Sequence, residues 1–158
     1  MLRKILAGAG VGLVLILCAA LPALLYSETT RATGRLERKD YSIDVTGSTV
    51  KAAQKAKISI SIEAKGEYEL HIHGAPFKIT LVPPKGIELD KTTLTIKDSE
   101  SKKAKAQRFT DWARSGKPGI YRVPVKLDFV LCSAKMCKPV QDETSVKLVF
   151  EGPGSSSK

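Results

Sequence analysis

Two cysteines separated by four residues, Cys132 and Cys137, stand in the run Phe129-Val130-Leu131-Cys132-Ser133-Ala134-Lys135-Met136-Cys137-Lys138-Pro139, the part of the chain best suited to chemistry. Residues 121–131 before them alternate apolar and polar side chains, and residues 145–151 after them do the same. Two such runs predict a β-hairpin with the cysteines near its closed end. Opposed residues in an antiparallel pair approach to about 4.5 Å between Cα atoms, which is inside the window for a disulfide. A bridge closing a loop of about six residues restricts the unfolded chain by only roughly 2 kcal/mol, so it is a weak staple. It suits thiol exchange better, which requires an exposed sulfur and a leaving thiol of modest pKa.

Strand parity sharpens this reading. Tyr121, Val123, Val125, Leu127, Phe129 and Leu131 share one face, whereas Arg122, Lys126 and Asp128 share the other, and Cys132 falls with the polar set. Without a bulge its sulfur is directed away from the core. Lys135 and Lys138 flank the pair, and their charge favours a thiolate on either cysteine. Pro124 lacks a backbone donor, so its strand lies near an edge or turns that nitrogen away from a partner.

The elements that must position the pair are strands. Residues 57–64 alternate Ile58, Ile60 and Ile62 with Ser59, Ser61 and Glu63, and further short strands are expected over 41–46, 68–73, 78–82, 92–96 and around 107–109. Lys65-Gly66 predicts a tight hairpin turn, and Pro83-Pro84-Lys85-Gly86 and Ser115-Gly116-Lys117-Pro118-Gly119 predict loops. Seven or eight short strands without a sustained helical period predict an all-β domain, an immunoglobulin-like antiparallel β-sandwich.

Arg3 and Lys4 precede an uncharged apolar run over residues 5–25, expected as a helix that is either a cleaved signal peptide or a retained membrane anchor. A lipoprotein signal would make Cys18 the lipidated residue, but Leu17 stands where that signal needs a small side chain. The expected organisation is a signal or anchor over 1–27, a polar basic linker over 28–40, one domain over 41–151 and a flexible tail over 152–158. Export puts Cys132 and Cys137 in an oxidising compartment, the periplasm or envelope, where a disulfide persists. With Arg3 and Lys4 set aside the chain carries 24 Lys and Arg against 16 Asp and Glu, a net charge of +8. The lysines are scattered, densest at Lys102, Lys103, Lys105 and Arg108, and no aromatics interleave with them, so the charge reads as a solvated surface and not as a nucleic-acid site.

Other chemistries are poorly represented. There is no Gly-x-Ser-x-Gly elbow, no Cys–His relay and no carboxylate pair of diagnostic spacing, and Asp98 and Glu100 read as solvated loop residues. Trp112 reads as a packing or partner-contact residue. His71 and His73, two apart on an expected strand, both point to its polar face. With Cys132, Cys137 and Met136 they offer a copper or zinc site as an alternative. No other cofactor is implied.

Gly66 and Tyr68, then His71-Ile72-His73-Gly74-Ala75-Pro76-Phe77, then Pro83-Pro84-Lys85-Gly86, and finally Cys132 through Cys137-Lys138-Pro139 together resemble the N-terminal domain of the thiol:disulfide interchange protein DsbD, a disulfide bond corrector-like domain. The resemblance covers residues 41–151 and is most specific at the cysteine hairpin and the proline after it. It implies an immunoglobulin-like periplasmic domain whose cysteines, here Cys132 and Cys137, cycle between dithiol and disulfide. They would accept reducing equivalents from a thioredoxin-like domain and pass them to periplasmic disulfide proteins. Without the family's multi-helix membrane domain and thioredoxin-like domain, those partners are expected to act in trans. The family covers its cysteines with an aromatic cap, for which Phe77 and Trp112 are the candidates. The same match gives His71 a structural role in the loop before Pro76. The competing expectation is an envelope interaction domain whose disulfide merely fixes the hairpin.

Overall fold

The computed structural model describes residues 32–153, which place the cysteine hairpin at one end of two packed, largely antiparallel β-sheets. The first sheet contains β1 (Ala32–Glu37), β2 (Tyr41–Gly47), β4 (Ala56–Ala64), β9 (Ala106–Arg114) and β7 (Glu88–Leu89), in the order β1-β2-β4-β9-β7. The second runs β3 (Thr49–Lys51), β11 (Cys137–Glu151), β10 (Gly119–Cys132), β6 (Lys78–Leu81) and β8 (Thr93–Thr95). The short β5 (Glu69–Leu70) pairs separately with the end of β10. Among the described residues every strand pairing is antiparallel except β3 with β11. The apolar signal or anchor expected over 1–27 lies outside the described residues, as does the tail beyond Pro153. Among the described residues no helix is long and apolar enough to cross a membrane.

Alternation dictates the core. Ile58, Ile60 and Ile62 of β4 are essentially inaccessible, and they face Val123, Val125, Leu127, Phe129 and Leu131 of β10 across one continuous apolar layer. Each fully buried side chain of this size contributes about 1.5–3 kcal/mol of transfer free energy. Aromatic edges link the layers: Tyr41 of β2 meets Phe129 of β10 edge-on at 5.4 Å, and Phe77 stacks on Phe109 at 5.5 Å.

The strand near the expected linker is a correction. Residues 28–40 read as a tether because their apolar side chains are few, yet Ala32–Glu37 pairs with β2 from Ala32–Gly47 to Glu37–Ser42. An edge strand needs little apolar surface when its backbone is close to a neighbour. A Cβ on Gly34 would stand 2.5 Å from the Ser145 carbonyl oxygen of β11, and one on Gly47 would collide with the Lys147 carbonyl oxygen. These two glycines let the sheets converge along β1, β2 and β11. Arg38 and Tyr41 fasten that seam. The Arg38 guanidinium donates to both Asp142 carboxylate oxygens at 3.0 and 3.1 Å, and the Tyr41 hydroxyl donates to the same carboxylate at 2.7 Å.

The turn at Lys65-Gly66 forms, with Gly66 at φ 58° and the Tyr68 N–H donating to the Lys65 carbonyl. It does not make the expected hairpin, however, because β4 belongs to the first sheet and β5 pairs with β10 in the second. The expected strand over 68–73 is correspondingly short. Asp98 is also not simply solvated: it accepts the Thr95 N–H at 2.8 Å and the Lys91 ammonium at 2.5 Å, closing a 3-10 turn over Ile96–Asp98.

Candidate functional site

The hairpin that carries the cysteines is longer and more regular than periodicity alone indicates. β10 and β11 stay in one register from Gly119–Phe150 to Cys132–Cys137 with no bulge, so the inward and outward alternation survives to the tip. Leu131 is buried, Cys132 is half-buried on the opposite face and Cys137 is exposed. The two cysteines are direct partners in the ladder, 4.0 Å apart at Cα, and their sulfurs are bonded. The parity argument for Cys132 therefore holds.

Residues 137–144 join β11 although the sequence predicted a strand only from 145, because the face that should be apolar carries Lys138, Asp142 and Thr144. Tertiary partners satisfy them. The Lys138 ammonium pairs with the Asp40 carboxylate and lies 4.5 Å from the centroid of the Tyr68 ring, while Asp142 is held by Arg38 and Tyr41. The hydrogen bond to Asp40 raises the Lys138 pKa. Lys138 is thus committed beneath the hairpin, which leaves Lys135 as the lysine at its tip. Pro124 sits in a central strand. Its carbonyl accepts the Val82 N–H, and since its nitrogen has no proton to return, the β6 ladder ends at Val125–Leu81.

The loop is ordered by its own serine. The Ser133 N–H donates to the Met136 carbonyl at 2.8 Å, and Ser133 Oγ accepts the N–H groups of Lys135 and Met136 at 3.3 and 3.4 Å. These bonds do not involve sulfur, so the turn has a reason to keep its shape when the bridge opens.

β5 supplies the rest of the site. It lies against β10 with Leu70 opposite Leu131 and Glu69 opposite Cys132, and the His71 N–H extends the ladder to the Val130 carbonyl at 2.8 Å. Its other edge is held by the loop before β9: the Leu70 N–H donates to the Ala104 carbonyl, and the Lys105 ammonium donates to the carbonyls of Gly66 and Tyr68. This placement brings His71 Nδ1 to 3.6 Å from Cys132 Sγ, within the longer hydrogen-bond reach of sulfur. The imidazole therefore lies against the inner sulfur of the disulfide. The His71 side chain opens onto a groove of about 680 Å³ that Glu67, Glu69, His73, Lys102 and Ser133 also line.

Several expected participants are elsewhere. Phe77 is buried against Phe109 and Phe129 in the core, and Trp112 sits on β9 of the first sheet opposite Lys57, so neither covers the disulfide. Met136 is exposed at the loop tip. Among the described residues no group of three or more His, Cys, Asp and Glu gathers where it would hold a metal ion. The sequence groups His71 and His73 with Cys132, Cys137 and Met136 as a metal alternative, reads Lys102 as solvated surface and gives Glu69 no role. The signal that could have found Glu69 was the crossover of β5 into the second sheet, which no local pattern encodes.

No family model matches the chain, and no curated protein matches it. Among solved structures it is similar to the GAE domain of yeast GGA1, at 15% identity and a TM-score of 0.40, over 70% of this chain and 94% of that one.

Proposed function

We propose that the protein is an exported, immunoglobulin-like thiol-disulfide exchange module that passes reducing equivalents through Cys132 and Cys137. The observation that carries this reading is the site's asymmetry: an exposed Cys137 is bonded to a half-buried Cys132 at the tip of an unbroken hairpin, with an imidazole beside the inner sulfur. An incoming thiolate attacks the accessible sulfur, Cys137, and Cys132 leaves with the electron pair of the broken S–S bond. A second thiol of the same partner then attacks the mixed disulfide and releases Cys137 as a thiolate. The partner dithiol is oxidised to a disulfide, and this domain becomes the dithiol. The reverse sequence delivers the two electrons to an oxidised substrate protein.

The partners are thioredoxin-like or other periplasmic disulfide proteins acting in trans, and the apolar N-terminal segment directs the chain to the envelope. If that segment is retained, it anchors the domain at the inner membrane. This assignment rests on the site's geometry and on the sequence resemblance to the N-terminal domain of DsbD.

Equilibration of the full-length chain with glutathione or dithiothreitol redox buffers tests the proposal. A reduction potential above about −300 mV supports exchange, and a value well below it makes the bridge a structural one that fixes an interaction surface. Cys132→Ser should trap a mixed disulfide through Cys137, and identification of the trapped protein by mass spectrometry names the partner.

A further inference from the structure

We infer that His71 is the leaving-group partner of Cys132, lowering the pKa of its thiol and thereby setting the rate and pH range over which the bridge opens. The inference rests on the exchange reading for its biological meaning, but its physical content concerns one sulfur and one ring. Three observations carry it. His71 Nδ1 lies 3.6 Å from Cys132 Sγ. The backbone that carries the ring is held in place, since the His71 N–H bonds the Val130 carbonyl and Leu70 is pinned on its other side by Ala104. Lys138, the nearest cation in sequence to the pair, is already engaged by Asp40 and Tyr68 and is not directed to the sulfurs.

When the S–S bond breaks, a full negative charge appears on Cys132 Sγ in a half-buried position. An imidazolium at that distance stabilises the thiolate by charge and hydrogen bonding, and a neutral ring with its proton on Nδ1 donates a hydrogen bond to it. A lower leaving-thiol pKa accelerates departure. The charged and titratable neighbours pull in both directions. Glu69, opposite Cys132 on the same face of the β5–β10 pair, and Glu67 oppose the thiolate. Lys102, from the loop before β9, favours the thiolate, and His73 shares the groove. Lys135 stands in the hairpin loop between the two cysteines. His71 is the ring that reaches the sulfur itself, so its removal should exceed the effect of any of these.

The test uses the full-length chain carrying Cys18→Ser and Cys137→Ser, which leaves Cys132 as the sole thiol, with and without His71→Ala or His71→Asn. The rate of iodoacetamide alkylation against pH, followed by intact mass, gives the thiol pKa directly. With His71 present the midpoint should fall below the free-thiol value of about 8.5. His71→Ala should shift it upward by about one unit, a tenfold lower thiolate fraction at neutral pH, and His71→Asn, which loses the ring but keeps an N–H donor, should shift it upward by less. Coincident profiles in all three proteins would overturn the inference, and the Asn variant guards against a loss of fold in the Ala variant. The readout involves no redox partner. A structural potential combined with a His71-dependent profile defeats the exchange proposal alone, and an exchange-competent potential with coincident profiles defeats this inference alone.

Discussion

Opening the disulfide should weaken the domain without unfolding it. The bridge joins Cys132 and Cys137 at a sequence separation of 5, and the chain-entropy relation for so small a loop gives about 2 kcal/mol at 25 °C. Nothing else in the hairpin depends on the sulfur. The ladder continues from Leu131–Lys138 down to Gly119–Phe150, the loop is held by Ser133, and Leu131 and Val140 are anchored in the core. For a domain of this size a loss of about 2 kcal/mol corresponds to roughly 6–12 °C in the unfolding midpoint. Calorimetric scans of the oxidised chain, the dithiothreitol-reduced chain and the Cys132→Ser, Cys137→Ser double variant should therefore show a cooperative transition in all three. The two bridge-free forms should melt lower by that amount and close to each other. Loss of the cooperative transition on reduction, or a drop equivalent to more than about 4 kcal/mol, would refute the reasoning, because the bridge would then be holding structure that the ladder and core do not. An exchange module must survive in both redox states.

Four further outcomes follow from the packing. Tyr41→Phe removes the hydroxyl that donates to Asp142 and should cost about 1.5 kcal/mol in urea unfolding, since Arg38 still pairs with the carboxylate. Burial alone would raise the Asp142 pKa, but the Tyr41 hydroxyl and the Arg38 guanidinium outweigh it and hold the value below the ordinary aspartate range. The carboxylate therefore stabilises the fold above its unfolded pKa and loses that contribution as pH falls through the lowered folded value, so wild type and Asp142→Asn should converge in stability on acidification. Asp111 has the opposite sign. Burial raises its pKa despite the Trp112 and Lys91 N–H groups, and its contribution is lost as pH rises through the raised value. Asp111→Asn should accordingly unfold at higher urea than wild type at pH 7, with the gap closing toward acid; an Asn variant weaker at pH 7 would contradict this. Gly47→Ala drives a Cβ against the Lys147 carbonyl and the Leu148 and Val146 side chains and should cost about 3 kcal/mol, whereas Gly116→Ala, with open space around it, should be nearly neutral in the same thermal assay.

The alternation of Ile58, Ile60 and Ile62 and of Val123 through Leu131 was enough to read an all-β domain and the direction of Cys132, because strand period and burial are the same physical fact. The cysteine pair was equally legible: in an antiparallel hairpin a bonded pair flanked by regular strands has few places to go. Strands built from polar side chains were not legible. β1 and the first half of β11 rest on backbone approach at Gly34 and Gly47 and on the partners of Lys138 and Asp142, which come from remote parts of the chain. The assignments of Phe77 and Trp112 as a cap failed for the same reason: which sheet an aromatic residue joins is set by strand order, and here both were placed away from the bridge.

By itself, then, the sequence determined the apolar strands, the cysteine hairpin and the chemistry available at its tip, since each depends on neighbours a few residues apart. Which side chain meets the sulfur was decided only in three dimensions. His71 and Cys132 are 61 residues apart, and they touch because β5 crosses into the second sheet and pairs with β10. That crossover is fixed by the burial of Leu70 against the core and by the Ala104 carbonyl at its edge, contacts that no local pattern encodes.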